Sequence, residues 1–136
     1  MERLTAWEIT TAILAAFTPV WIGLVVIIAL SWVLRKKLGL FGKLFGSPIG
    51  MFGLVLVLFW VLTAIFADQI APFDALDQVS GMKNKVPGTP VRGLEGQFYL
   101  LGGDNLARDV FSRLVLGSQQ VMVIAPAATL VAFMVG

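Results

Sequence analysis

The chain has 136 residues, of which 58% are hydrophobic and only 13% are charged, whereas about 25% of residues are charged in ordinary soluble domains. This composition excludes a water-soluble globular protein. The chain contains no cysteine and no histidine, which excludes disulfides, thiol chemistry and the most frequent ligands of zinc and haem. The net charge of +2 is too small to indicate a nucleic-acid partner.

Three runs along the chain contain no charged side chain, at residues 9–34, 44–67 and 114–136. Because an α-helix rises about 1.5 Å per residue, roughly 20 apolar residues cross the ~30 Å hydrocarbon core of a bilayer. Each run is long enough to do so. The sequence therefore predicts an all-α polytopic membrane protein with three transmembrane helices.

The first run contains a proline, Pro19, about a third of the way along. It predicts a kink, because proline removes one backbone hydrogen bond and clashes with the preceding turn. The alternative is a shorter helix that begins at Pro19 behind a Thr18 cap; we favour the kinked helix. The acidic residues Glu2 and Glu8 are untypical of a cleaved signal peptide, so this span is expected to remain attached.

The segment between the first two runs is strongly basic. Its charged residues are Arg35, Lys36, Lys37 and Lys43, with no acid among them. Basic residues in short loops are retained on the cytoplasmic side, so these four are expected to determine the topology. The N-terminus is then extracytoplasmic, and the second span, which begins at a Ser47 cap followed by Pro48, returns outward.

The next segment, residues 68–99, has proline and glycine at irregular intervals and no sustained period of 2 or 3.6. This pattern predicts an irregular loop, which the threading above places outside the cytoplasm. Packing against a surface or binding a partner would account for its length, and a solvated tether is the alternative.

A short amphipathic helix is predicted just before the third run. It would begin at Asp104, behind two glycines, and contain two ion pairs with the acid four residues before the base. Such a helix is expected to lie at the membrane interface and to bend into the bilayer at Gly117. The two pairs are Asp104 with Arg108 and Asp109 with Arg113.

Two segments resemble a known family. Residues 101–117, LGGDNLARDVFSRLVLG, resemble the L-G-T-D-x-x-G-R-D-x-x-S-R-x-x-x-G signature of peptide-type ABC importer permeases, the dipeptide and oligopeptide permease C subunits. Residues 66–74, FADQIAPFD, are similar to the F-A-P-x-I-A-P-Y-D stretch of the same subunits. In the longer motif Gly103 replaces the usual threonine and Ala107 the usual glycine. The family-motif residues, expected to be structural, are Gly102, Asp104, Asn105, Arg108, Asp109, Ser112, Arg113 and Gly117.

The resemblance implies the N-terminal part of the permease subunit of an ATP-driven importer that moves peptides across the bacterial inner membrane. The implied partners are a homologous second permease, two cytoplasmic ATPase subunits and an extracytoplasmic peptide-binding protein. The chain itself is then not an enzyme, and no cofactor or metal is expected. Two alternatives remain open: a small membrane anchor or assembly protein of a larger complex, and an importer of the same family for nickel or another solute.

The expected divisions follow from these elements. Residues 1–43 form an additional N-terminal helix, not usual in the family, and the basic loop; residues 44–70 form the first family-type helix. Residues 71–103 are the extracytoplasmic loop, residues 104–117 the interfacial helix, and residues 118–136 the start of the transmembrane core. Because the chain is still apolar at its last residues, we expect a piece of a longer protein, which an immediate stop codon after Gly136 would contradict.

Overall fold

The computed structural model describes residues 2–136, and this part of the chain folds into six helices and one short β-ribbon. The ribbon is antiparallel, and Thr89 pairs with Tyr99 in it. In chain order the elements are α1 (Ala6–Ala16), α2 (Thr18–Val33), α3 (Leu40–Leu44), α4 (Pro48–Ile65), α5 (Ala67–Ile70), β1 (Thr89–Pro90), β2 (Phe98–Tyr99) and α6 (Val110–Val135).

The first apolar run forms two helices, α1 and α2, which meet at an angle of 52°. The break lies at Phe17, and Pro19 follows in the first turn of α2. The disturbance predicted at Pro19 is present as a break between two helices and not as a kink within one helix, because a proline ring cannot be accommodated against the carbonyl one turn earlier. The start of α2 at Thr18 is close to the alternative, a shorter helix that begins at Pro19.

Two helices, α4 and α6, are each long and apolar enough to cross a membrane. The bent pair α1 and α2 adds a third span if it crosses as one unit. The predicted start of α4 is confirmed, because the Ser47 side chain accepts a hydrogen bond from the Gly50 N–H and Pro48 occupies the first turn. The chain is thus a multi-pass membrane protein with two or three spans.

The main hydrophobic core lies at one end of the helices, where the break before α2, the end of α4 and the start of α6 meet. Phe17 stacks on Phe59 with ring centroids 5.3 Å apart, and its edge-on contact with Phe111 measures 6.1 Å. Aromatic pairs of this kind stabilise a core beyond the area they bury. The helix break is thereby held against both α4 and α6.

The long segment between α5 and α6 is irregular, as predicted, and it packs around a small core of its own. Met82, Val91 and Tyr99 are buried there, and the ring of Phe73 meets that of Tyr99 edge-on at 5.2 Å. The Leu4 N–H donates a 3.0 Å hydrogen bond to the Gly88 carbonyl, which joins the N-terminal segment to this loop. The segment is therefore packed, and it is not the solvated tether that was the alternative.

The predicted interfacial helix over residues 104–117 is wrong as a separate element. Residues 104–109 form a turn closed by a bridge between Gly103 and Asp109, and α6 begins only at Val110 and continues through Gly117. The physical reason is Ala107, whose φ of 62° is left-handed and interrupts a right-handed helix. The prediction that Arg113 pairs with Asp109 is also wrong, because Arg113 pairs with Asp104 instead.

Candidate functional site

Most of the family-motif residues come together where the irregular loop enters α6, in residues 99–113, here called the junction. Asp104 lies at its centre. Its Oδ1 accepts hydrogen bonds from the N–H groups of Leu106 (2.8 Å) and Arg108 (2.9 Å). Its Oδ2 accepts from Arg108 Nε (2.9 Å) and Arg113 Nη1 (2.7 Å). One carboxylate thus fixes the backbone of the turn and two guanidinium groups.

The ionisation of Asp104 follows from these contacts. Partial burial acts to raise its pKa, but the backbone hydrogen bonds from Arg108 and Leu106, together with the Arg108 guanidinium, outweigh burial and lower the pKa to about 2. The side chain is charged at every pH a cell meets. Asp104 can therefore pair with Arg108 and Arg113 over that whole pH range.

Asp109 is the N-cap of α6 and is fully buried. Its Oδ2 accepts from the Ser112 N–H (2.9 Å) and the Ser112 hydroxyl (2.6 Å). Within residues 2–136, its Oδ1 has no hydrogen-bond partner. Burial raises the pKa of this carboxyl, and the hydrogen bonds from Ser112 oppose that rise without cancelling it.

Ser112 joins the two segments that the sequence analysis considered separately. Its Oγ donates to Asp109 and also accepts a 3.1 Å hydrogen bond from the Phe73 N–H. Phe73 belongs to residues 66–74, so this contact connects the segment just after α5 to the first turn of α6. No signal within either segment indicates that they touch, because the two residues are 39 positions apart.

Sequence reasoning also missed Tyr99. Its side chain is fully buried, and its hydroxyl donates a 3.0 Å hydrogen bond to the Ala107 carbonyl. Burial, followed by the nearby charge of Asp109, raises the pKa of Tyr99, so the hydroxyl keeps its proton and remains a donor. The Val79 N–H donates to the same carbonyl at 3.2 Å. These contacts hold the left-handed residue in place.

The two glycines before Asp104 allow the loop to pack closely on the junction. A Cβ atom on Gly102 would collide with the Lys85 carbonyl oxygen, and one on Gly103 with that of Met82. The Gly103 N–H donates a 2.9 Å hydrogen bond to the same Lys85 oxygen. In this chain the approach of the loop therefore requires glycine at both positions.

The other predicted residues lie elsewhere. Asn105 is exposed on the turn, and Gly117 lines an apolar groove of about 460 Å³ between α4 and α6, beside Trp60. The four basic residues predicted to determine the topology are exposed in the segment between α2 and α4, away from the junction. They are Arg35, Lys36, Lys37 and Lys43.

The contacts of the junction connect the irregular loop with the first turn of α6. In the part of the chain described here, no group of three or more acidic side chains could hold a metal ion. The hydrogen bonds of Asp104, Asp109 and Ser112 fix the start of α6 against the loop and α5. About two turns after Ser112, Gln119 Nε2 donates to the Ala64 carbonyl (3.2 Å) and links α6 to α4.

Comparison with known proteins gives a consistent assignment. Residues 36–87 match the family described as the N-terminal transmembrane domain of oligopeptide transport permease C. The chain is 33% identical over 73 residues to the peptide transport system permease protein SapC of Haemophilus influenzae, across 54% of this chain and 24% of that protein. It is 34% identical over 86 residues to the di/tripeptide transport system permease protein DppC of Pseudomonas aeruginosa, across 62% and 27% respectively.

The chain spans about a quarter of the length of these curated relatives. No solved structure matches it significantly. The family match includes the basic segment from Lys36 onward, all of α4 and the first part of the loop. Residues 36–87 are thus similar to the N-terminal transmembrane domain of oligopeptide transport permease C, and the chain is similar to permease proteins of peptide transport systems.

Proposed function

We propose that this chain is the N-terminal part of the permease subunit of an ATP-driven ABC importer, which moves peptides across the bacterial inner membrane. The observation that carries the proposal is the match of residues 36–87 to the permease C domain. The names of both curated relatives, which are permeases of peptide and of di/tripeptide transport systems, support peptides as the substrate class.

In this proposal the junction has a structural role and does not bind the substrate. Ser112 fixes the start of α6 to the segment just after α5, and Gln119 fixes α6 to α4. Beyond these contacts the apolar side chains of α6 are exposed, for example Phe133 (84%) and Met134 (86%). In a complete permease, further helices of the subunit and its homologous partner would cover this surface.

The proposed partners are a homologous second permease, two cytoplasmic ATPase subunits and an extracytoplasmic peptide-binding protein. The loop between α5 and α6 would face the binding protein, and ATP would be hydrolysed on the ATPase subunits. The groove beside Trp60 and Gly117 would receive a neighbouring helix.

A purification and uptake experiment tests this function. The gene, with all the codons of its reading frame, is deleted from its host and restored with an affinity tag. We expect two ATPase subunits and a second permease to co-purify in mild detergent, and labelled di- and tripeptide uptake to fall on deletion and return on restoration.

Each other result contradicts the proposal in a different way. Uptake of nickel instead of peptides would show an importer for another solute. A tagged protein that accumulates with no ATPase and leaves all uptake unchanged would show an anchor or assembly protein. A host carrying an inactive ATPase serves as the control, because it retains the complex and should lose uptake.

A further inference from the structure

The segment between α2 and α4 has a charge distribution that the proposed transport function does not use. Its four basic side chains, at positions 35, 36, 37 and 43, are exposed, and both ion pairs in residues 2–136 are made by Asp104 instead. In sequence the nearest acidic residues are Glu8 and Asp68, which lie on the far sides of α2 and α4. The basic charge of this segment is therefore not neutralised by the chain itself.

Three of these cations line one cleft. The cleft has a volume of about 490 Å³ and is formed where α3 folds back toward the end of α2. Its basic lining residues are Arg35, Lys36 and Lys43, and the rest of the lining is three glycines and Phe45. The lining thus combines three cationic side chains with three residues that have no side chain to occupy the space.

The backbone of the segment is shaped to form this cleft. Gly42 lies so close to the Arg35 carbonyl that a Cβ atom there would collide with it, and Gly39 turns the chain with a φ of 54°. The Arg35 guanidinium lies over the Trp32 ring, 5.0 Å from its centroid, a cation–π contact that restricts its position. Arg35 and Lys43 are thus brought together by close packing of the backbone.

The position of the cleft identifies the source of the anion. Arg35 follows directly on the last turn of α2, and the segment ends where α4 begins at Pro48, so the cleft lies at the membrane edge of two helices. Beside it, Leu40 is 80% and Phe41 59% exposed, as expected for apolar side chains that enter the acyl region while neighbouring cations remain at the headgroups.

We propose that this cleft binds the phosphodiester headgroup of an anionic membrane lipid, with Arg35, Lys36 and Lys43 as the phosphate ligands. The headgroup would supply the negative charge that the segment lacks, and the acyl chains would lie against Leu40 and Phe41. Basic clefts at the ends of transmembrane helices have the charge and location that such headgroups require. The site is independent of the transport function proposed above.

The test uses the full chain in nanodiscs of phosphatidylcholine with a minor fraction of phosphatidylglycerol, and measures the phosphatidylglycerol retained on the protein by native mass spectrometry. Each basic side chain contributes about 1 kcal/mol near an anionic surface, a factor of about five. We expect the triple variant Arg35→Gln, Lys36→Gln, Lys43→Gln to lower the preference for phosphatidylglycerol on the order of 100-fold.

Two controls distinguish a specific lipid-binding site from non-specific electrostatic attraction between basic side chains and anionic lipid. The triple variant Lys83→Gln, Lys85→Gln, Arg92→Gln removes the same charge from the loop between α5 and α6, and should leave the preference unchanged. Gly42→Ala keeps every charge but forces the cleft apart, and should lower the preference at least several-fold. Equal effects of the two triple variants, or no effect of Gly42→Ala, would overturn the proposal. So would displacement of the lipid by millimolar inorganic phosphate, which would identify a site for the free anion.

Discussion

At the scale of single residues, Ala107 adopts a conformation that alanine disfavours. Its φ of 62° lies in the left-handed region, which costs a residue with a Cβ atom roughly 1–2 kcal/mol. The hydrogen bonds that its carbonyl accepts from Tyr99 and Val79 hold it there. The resembling family usually has glycine at this position, which is the residue that this backbone favours.

We therefore expect Ala107→Gly to stabilise the fold. Removing the left-handed strain from the folded state gains roughly 1–2 kcal/mol. The larger conformational entropy of glycine in the unfolded chain costs about 0.4–1 kcal/mol. The net gain in stability is then about 0.5–1 kcal/mol. Denaturant unfolding in detergent micelles measures it. Ala75→Gly is the matched control, because Ala75 has a negative φ and glycine there should destabilise the fold. A loss of stability in both variants would contradict the prediction.

Asp104 makes stability depend on pH. Its pKa falls from 3.8 to about 2 on folding, so between these values the unfolded chain binds more protons than the folded one. The contribution of Asp104 is therefore fully present above about pH 4 and is lost as pH falls through about 2. We expect the stability difference between the wild type and Asp104→Asn to shrink steadily over that interval.

The measurement is the free energy of unfolding at several pH values between 2 and 6 for both proteins. Asp74→Asn is a suitable control, because Asp74 is exposed and makes no ion pair within residues 2–136. A difference between the wild type and Asp104→Asn that stays constant down to pH 2 would show that the carboxylate is not held in its ionised form.

At the scale of elements, the junction shows what local sequence patterns can and cannot predict. The start of α4 could be predicted from sequence, because Ser47 and Pro48 act on their own turn. Pro19 indicated a disturbance before α2, but the favoured prediction of one kinked helix did not give two separate helices. The spacing of Asp104 and Arg108 suggested a helix, yet the same pair also closes a turn, and only contacts with residues 79–88 decide between them. Asp109 as a cap, with Ser112 three residues later, was a local signal that could have located the start of α6.

Ser112 is the side chain whose loss should separate these elements. Ser112→Ala removes one hydrogen bond to the buried Asp109 and leaves the Phe73 N–H without its acceptor. Because unsatisfied buried polar groups cost about 1–3 kcal/mol each, we expect a destabilisation of about 2 kcal/mol and faster hydrogen exchange at Phe73. The exposed Ser80 provides the control variant Ser80→Ala, for which both measurements should match the wild type. Unchanged exchange at Phe73 in Ser112→Ala would contradict the coupling.

At the scale of the whole molecule, the N-terminal segment and the loop between α5 and α6 lie at one end and the basic segment at the other. The hydrogen bond from Leu4 to Gly88 joins the first two. The proposed topology places that end outside the cytoplasm. The chain has no cysteine, so single cysteines can be introduced without removing native ones.

We expect Glu95→Cys, in the outer loop, to react with a membrane-impermeant maleimide in intact spheroplasts. Lys37→Cys, in the basic segment, should react only after the membrane is disrupted. Both side chains are exposed, so access to the thiol depends on the side of the membrane and not on burial in the protein. The reverse pattern would invert the proposed threading.

The separation of charge between the two ends has an electrical consequence. Side chains at the basic end sum to +4 and those at the other end to −2, which together give the net +2. On the proposed threading, the molecule is therefore a dipole directed along the bilayer normal. At 2.3 kcal/mol per elementary charge for each 100 mV, a potential that is negative inside favours the basic end inward by about 14 kcal/mol over the inverted arrangement. An energised membrane would thus hold the correctly inserted chain in place, and collapse of the potential by an ionophore would remove that contribution.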